Sequence, residues 1–171
     1  MPKNATDTKN NIGIWGLDRK KNRTLKFIES YDIPNDEFDI DILNKWKVFV
    51  SKADGAAGQL CYPVPARIMG STMRGGKNVI STITFLVIGP FEEEQEAINV
   101  QRYMTTKFFR FLLGIRKLKN VYWRVFSFVP YLDFKKEWTD KLLYEKYGIT
   151  KEEQQHINDM IKDFDNELML F

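Results

Sequence analysis

Cysteine and histidine are almost missing from this chain of 171 residues, where Cys61 and His156 each stand alone. One cysteine excludes an internal disulfide and any Cys-rich zinc module. One histidine leaves metal chemistry to carboxylates and removes most His-based triads and relays. No apolar run approaches the roughly 18 residues that span a bilayer, and the opening Met1-Pro2-Lys3-Asn4 leads into polar sequence without a signal core. The six prolines are Pro2, Pro34, Pro63, Pro65, Pro90 and Pro130. No two are adjacent, so the Asn/Asp-Pro-Pro-aromatic segment with which a methyltransferase grips an everted base is missing. The expectation is a cytoplasmic chain with no membrane partner, no cofactor of its own and no catalytic motif.

What the chain does have is 43% hydrophobic and 14% aromatic residues, enough to build a core. The net charge is +3, unevenly spread. Residues 1–54 hold ten Lys/Arg and nine acids. Residues 55–132 hold ten Lys/Arg and four acids, all of them among Glu92, Glu93, Glu94 and Glu96. Residues 133–171 reverse the balance, with six bases and ten acids. A basic middle block suits a polyanion, and the acidic end can mask or orient it. The plainer reading is that these surfaces pair within the fold.

Along the chain, residues 1–11 read as a flexible tail. Ile12 to Leu17, Thr24 to Ile28 and Trp46 to Ser51 read as strands, and Val79 to Ile88 as the strongest strand, ended by Gly89-Pro90. Between them, Asp54 to Lys77 carries five of the ten glycines and reads as one long irregular loop. A single helix is expected from Glu92 to Arg116, with acids at its start and bases at its end. Its core stripe would be Ala97, Val100, Met104, Phe108, Phe111, Leu112 and Ile115, and the neighbouring face of Tyr103, Lys107, Arg110 and Gly114 would be exposed. Phe108, Phe109 and Phe111 read as core rather than as a stacking platform. Tyr122 to Val129 looks β-like. A helical hairpin follows, with Thr139 as one cap, Gly148 as a stop, and Thr150 with Glu153 as a capping box for a helix reaching Phe164. The fold class is α+β: a twisted, mostly antiparallel sheet, one long packed helix and a C-terminal helical hairpin. Residues 12–132 form the main domain and 133–171 the hairpin packed on it.

Gly70 to Lys77 fails as a phosphate loop, because an extra glycine precedes the lysine and a strand follows. Asp133 and Lys135, with Asp39 or Asp41 as partners, offer only a weak magnesium-nuclease pattern. The basic loop is more informative. Lys52, Gln59, Arg67, Arg74 and Lys77 lie on or beside a glycine-rich backbone that can approach a ligand closely. Arg and Gln read base edges bidentately, and Lys holds phosphates. With Lys107, Arg110, Arg116, Lys117, Lys119 and Arg124 they form a DNA-sized footprint. RNA is less favoured, because the aromatic strand signature of the common RNA-binding sheet is missing.

Three stretches carry a resemblance: Lys47-Val48-Phe49-Val50-Ser51-Lys52-Ala53-Asp54-Gly55-Ala56-Ala57-Gly58-Gln59, Thr84-Phe85-Leu86-Val87-Ile88-Gly89-Pro90-Phe91 and Thr106-Lys107-Phe108-Phe109-Arg110-Phe111-Leu112. Phe126-Ser127-Phe128-Val129-Pro130, Asp133-Phe134, Trp138-Thr139-Asp140 and Tyr144-Glu145-Lys146-Tyr147-Gly148 continue it. This ordered series, over roughly residues 45–163, resembles the C-terminal target-recognition region of bacterial type IIG restriction–modification enzymes and adenine-specific DNA methyltransferases. Ile83 departs from the acidic residue often found between the two threonines of that strand. The resemblance implies recognition of double-stranded DNA, with the glycine-rich loop as a candidate for base contacts. Methylation or cleavage, and the S-adenosylmethionine and Mg²⁺ they need, would belong to a methyltransferase or nuclease domain or subunit elsewhere. Since no catalytic part precedes Met1, a fragment, a truncated gene and a separate specificity subunit all stay open. The competing readings are a self-contained Mg²⁺-dependent endonuclease and a protein-interaction subunit of the same kind of system.

Overall fold

The computed structural model describes residues 11–17, 23–29, 40–52, 60, 64–70, 72–117, 121–164 and 169–170. The expected tail falls almost entirely outside them. The fold is α+β, with two sheets where one was expected. In the first, β1 (Asn11–Leu17) pairs antiparallel with β2 (Arg23–Glu29) and parallel with β5 (Val79–Ser81). After the short α1 (Ile40–Leu43), β3 (Trp46–Ser51) begins the second sheet. There β3 is antiparallel to β4 (Thr72–Gly75) and to β6 (Phe85–Phe91), and β4 runs parallel to β7 (Met169–Leu170).

The run from Val79 to Ile88 is therefore two strands belonging to different sheets. Phe85 N–H donates to the Thr82 carbonyl at 3.1 Å, and the Thr82 and Thr84 hydroxyls meet at 2.6 Å, closing a turn that leaves Ile83 86% exposed. Thr-Ile-Thr is as β-prone as its flanks, so composition hides the turn. Nor does Gly89-Pro90 end the strand. The register shifts between Trp46 and Val48, and pairing resumes at Trp46 and Phe91; an irregularity of this kind is how a sheet edge accommodates proline. Gly89 has φ +134°, and a Cβ there would sit 3.2 Å from the Trp46 carbonyl, so glycine is required.

β3 is buried on both faces. Val48 and Val50 point into the main core with Ala97, Val100, Met104, Phe109 and Leu113, while Phe49 packs with Met73, Val79 and Phe85 in a second cluster. Period-two alternation places Lys47 on the side of Phe49. It is fully buried, and its Nζ donates to the carbonyls of Val79 at 2.8 Å and Leu43 at 3.2 Å. This ammonium thus ties β3 to β5 of the other sheet. Burial lowers its pKa to about 8.

The expected long helix is broken into α2 (Glu94–Thr105) and α3 (Lys107–Arg116) at Thr106, whose ψ is 151°. Glu93 and Glu96 form a capping box on α2. At the break the Thr106 hydroxyl accepts from Phe109 N–H and donates to the Tyr103 carbonyl. The next two amides, of Lys107 and Phe108, donate to the Asp140 carboxylate at 3.0 and 2.8 Å. The extended residue shifts the helical phase, so α3 buries Phe108, Phe109, Arg110, Leu113 and Gly114. Ile115, expected in the core, is 49% exposed, whereas Tyr103 and Arg110, expected outside, are 2% and 1% exposed.

Much of the expected loop is core as well. Ala66, Ile68 and Met69 are wholly buried, Ala66 bridges to Ile161, and residues 72–75 are β4. Residues 123–128, expected as β-like, form a 3-10 turn. The hairpin is as expected in its caps: α4 (Asp140–Tyr147) starts at Thr139 and stops at Gly148 with φ 64°, and α5 (Lys151–Met160) starts with the Thr150–Glu153 box. It ends four residues before Phe164, because Ile161 turns extended to pair with Ala66. Phe108 stacks on Tyr147 at 5.2 Å, and Leu143 and Ile157 join the main core.

Two outcomes follow. Asp140→Ala should cost about 1 to 2 kcal/mol in urea unfolding, the usual range for a lost helix cap. The unfolded chain holds a proton on Lys47 up to about pH 10.5 and the folded chain only up to about 8. Stability from this group therefore rises with pH between those values and is lost as pH falls. Lys47→Met should flatten that rise relative to the parent chain in unfolding measured from pH 7.5 to 10.5.

Candidate nucleic-acid interface

The 3-10 turn Trp123–Phe128 is pinned to α3 by Val125, which is wholly buried. Phe126 packs against the core, while two other rings turn outward: Trp123 is 69% exposed and Phe128 48%. Two arginines sit over these rings. The Arg116 guanidinium, at the end of α3, sits 4.9 Å from the Phe128 centroid, and that of Arg124 sits 4.8 Å from the Trp123 ring. Arg116, Trp123, Arg124, Phe126 and Ser127 line a shallow cleft of about 420 Å³. Among the described residues neither arginine is paired with a carboxylate. A guanidinium stacked on a ring keeps its N–H edges free for phosphate oxygens or base edges, and an exposed indole presents a face for stacking.

Lys52 belongs to the same end of the molecule. Its backbone N–H donates to the Thr84 carbonyl at 2.9 Å, and its carbonyl accepts from Val121 N–H at 3.0 Å. The root of the glycine-rich segment is thereby clamped between β6 and the approach to the 3-10 turn. Lys77 is exposed at the opposite end of the sheet. Gly75 pairs with Lys47, so Lys77 lies beyond the start of β3 while Lys52 follows its end. The five steps from Lys47 to Lys52 span about 17 Å of strand.

The remaining predicted contacts are spent differently. Arg110 Nη1 donates to the Lys162 carbonyl at 2.7 Å and the Arg67 carbonyl at 3.5 Å, and its Nε donates to those of Thr105 and Thr106. Burial lowers its pKa to about 10, against the opposing pull of Asp140 and Asp163, so it stays charged at neutral pH. Lys117 is 4% exposed and its Nζ donates to the Ile68 carbonyl. These two residues hold the fold together and are not phosphate anchors. Lys107 pairs with Asp163 at 2.8 Å, which keeps the Asp163 carboxyl below its ordinary range. Arg74 is half-buried, its Nη1 3.4 Å from the Gln101 side-chain oxygen and its Nη2 3.9 Å from Glu94. Arg67 is half-buried beside α3. Gln59 and Lys119 lie outside the described residues.

Of the eleven candidates, Arg116 and Arg124 come together in one cleft, and the Lys52 backbone is tied to Val121, two residues before Trp123. The rings that support them were missed, because Trp123 and Phe128 were read on a strand. The Trp-Arg pair next to an arginine-ended helix was the available signal. Among the described residues no group of three His, Cys, Asp and Glu side chains is placed to hold a metal ion. Asp133 uses its carboxylate to accept from the Lys135 backbone N–H at 3.0 Å, and His156 stands edge-on to Phe111. Cys61 and Asp39 lie outside the described residues, as does the Asp41 side chain. Among the described residues no helix is long and apolar enough to cross a membrane.

No family model matches the chain, and no curated protein or solved structure is significantly similar to it.

Arg110→Met should cost about 3 kcal/mol in chemical unfolding, since it leaves buried carbonyls without their charged donor. Arg124→Ala should leave stability within about 0.5 kcal/mol, as for other exposed positions.

Proposed function

We propose that this chain is a sequence-recognition module for double-stranded DNA in a restriction–modification system, positioning a methyltransferase or endonuclease that it does not itself contain. The observation that carries this reading is the pair of ring-backed arginines, Arg116 on Phe128 and Arg124 on Trp123, beside the root of the glycine-rich segment at Lys52. Unpaired guanidinium groups on exposed aromatic plates are chemistry for phosphates and base faces. The resemblance to target-recognition regions over residues 45–163 supports the same reading from the sequence side. The base contacts belong to Gln59 and its neighbours in the glycine-rich segment, and Lys52, Arg116 and Arg124 anchor the backbone.

The self-contained nuclease has less support. Its proposed aspartate, Asp133, is engaged in a local turn with Lys135, and the ring-backed arginines play no part in it.

Selection of the purified chain against a randomised duplex pool should enrich one short defined site. With about three phosphates neutralised, log Kobs should fall with log salt at a slope near −3. Arg116→Ala and Arg124→Ala should each reduce that slope by about 1. A slope near zero, or binding unchanged in the double variant, would overturn the assignment.

A further inference from the structure

Among the described residues, β6 is an end strand that pairs with β3 alone. The bond from Lys52 N–H to the Thr84 carbonyl sets the alternation along this pair. Leu86, opposite Val50, and Ile88, opposite Val48, turn their backbone groups toward β3. Val87 between them therefore points its N–H and C=O away from the sheet. Phe85 N–H is already used by the Thr82 carbonyl, and Pro90 has no N–H, so the open ladder is short and centred on Val87.

A groove of about 480 Å³ runs along this edge. Every residue from Leu86 to Phe91 lines it, Met104 and Phe109 form its floor, and Trp123, Tyr131 and Phe134 stand around it. Among the described residues no charged side chain lines it. Val87 is 45% exposed and Tyr131 89%, so large apolar surface stands in water beside backbone groups that no described strand pairs. Among these residues a nucleic acid finds no cation. A helix could fill the groove but would leave the Val87 backbone groups covered and unbonded. An extended strand meets both demands, with its backbone on the open ladder and alternate side chains in the groove. A second copy paired through its own β6 would meet the ladder but leave the groove unfilled, because its Leu86 and Ile88 already pack against its own core.

We propose that the β6 edge and its groove dock an extended strand with alternating apolar side chains, donated by a partner polypeptide. That the partner is the chain carrying the methyltransferase or nuclease chemistry rests on the function proposed above; the strand-docking mode does not. The site is separate from the arginine plates except at Trp123 and Phe126, which border both.

The test is selection of a displayed random-peptide library on the full chain, followed by titration of the most enriched sequence as a synthetic peptide. Alternating apolar peptides should be enriched, and their binding should slow hydrogen exchange at the Val87 amide. Val87→Pro, which removes only the outward N–H, should weaken the peptide at least tenfold. Tyr131→Ser, at a site too exposed to threaten folding, should weaken it several-fold. Both variants should keep the parent salt dependence on DNA. Three results would overturn the proposal: no enrichment, enriched peptides that leave Val87 exchange unchanged, or both variants binding the peptide as tightly as the parent chain. A dimer in sedimentation of the protein alone, with Val87 protected, would give the edge to a second copy and also overturn it. Peptide docking without any DNA binding would uphold the docking mode while removing the proposed function, so the two failures are distinguishable.

Discussion

A guanidinium taken out of water has to be met by oxygens, and Arg110 is met by carbonyls from three separate stretches of chain. Its own helix junction supplies Thr105 and Thr106, the segment before β4 supplies Arg67, and the segment after α5 supplies Lys162. Lys117, two turns further along, repeats the device on the Ile68 carbonyl. Irregular backbone is normally kept at the surface because its polar groups need partners. Here two buried cations meet the Arg67 and Ile68 carbonyls while Ala66 pairs with the backbone of Met160 and Lys162, so residues 66–69 can enter the core without a full strand or helix of their own. The cost of burying the charge is offset only while all the acceptors stay in place. Helix α3, residues 66–69 and the end of the hairpin are therefore interdependent.

The break at Thr106 is the second constraint. A continuous helix would have carried the apolar stripe of α2 onward through Phe111 and Ile115 and left Phe109 and Leu113 outside. One extended residue rotates α3 so that Phe109 and Leu113 face inward and the Ile115–Arg116 end reaches the surface beside the 3-10 turn. The two amides freed by the break would be unpaired without Asp140, which arrives from the hairpin. Formation of the arginine plates thus depends on a carboxylate of the acidic C-terminal region. Part of the expected pairing between basic and acidic blocks is real, in Asp140, Asp163 and their contacts on α3.

The surface that remains divides into two chemistries meeting at Trp123 and Phe126. On one side are ring-backed cations and the start of the glycine-rich segment, and on the other an uncharged groove along a strand edge. The recognition module proposed above would need both, one to hold a polyanion and one to join the chain that acts on it. Their closeness means that an occupant of the groove would contact the same indole that supports Arg124.

Local chemistry was enough to read the α+β class, β1 to β3, the capping box of the hairpin helix and the stop at Gly148. Those features depend on neighbours within four residues or on strict alternation, and both are visible in a linear chain. The division of Val79 to Ile88 was not, because two strands of one composition differ only in the partner each finds, β1 or β3. Nor was the break at Thr106 visible as a break, since its stabilising carboxylate lies 34 residues away. Among the basic residues, the sequence by itself determined how many there are and roughly where they fall. Only the tertiary structure decided which are surface and which are braces. That choice depends on distant carbonyls that need a donor, and the segments bearing them come together only in the folded chain.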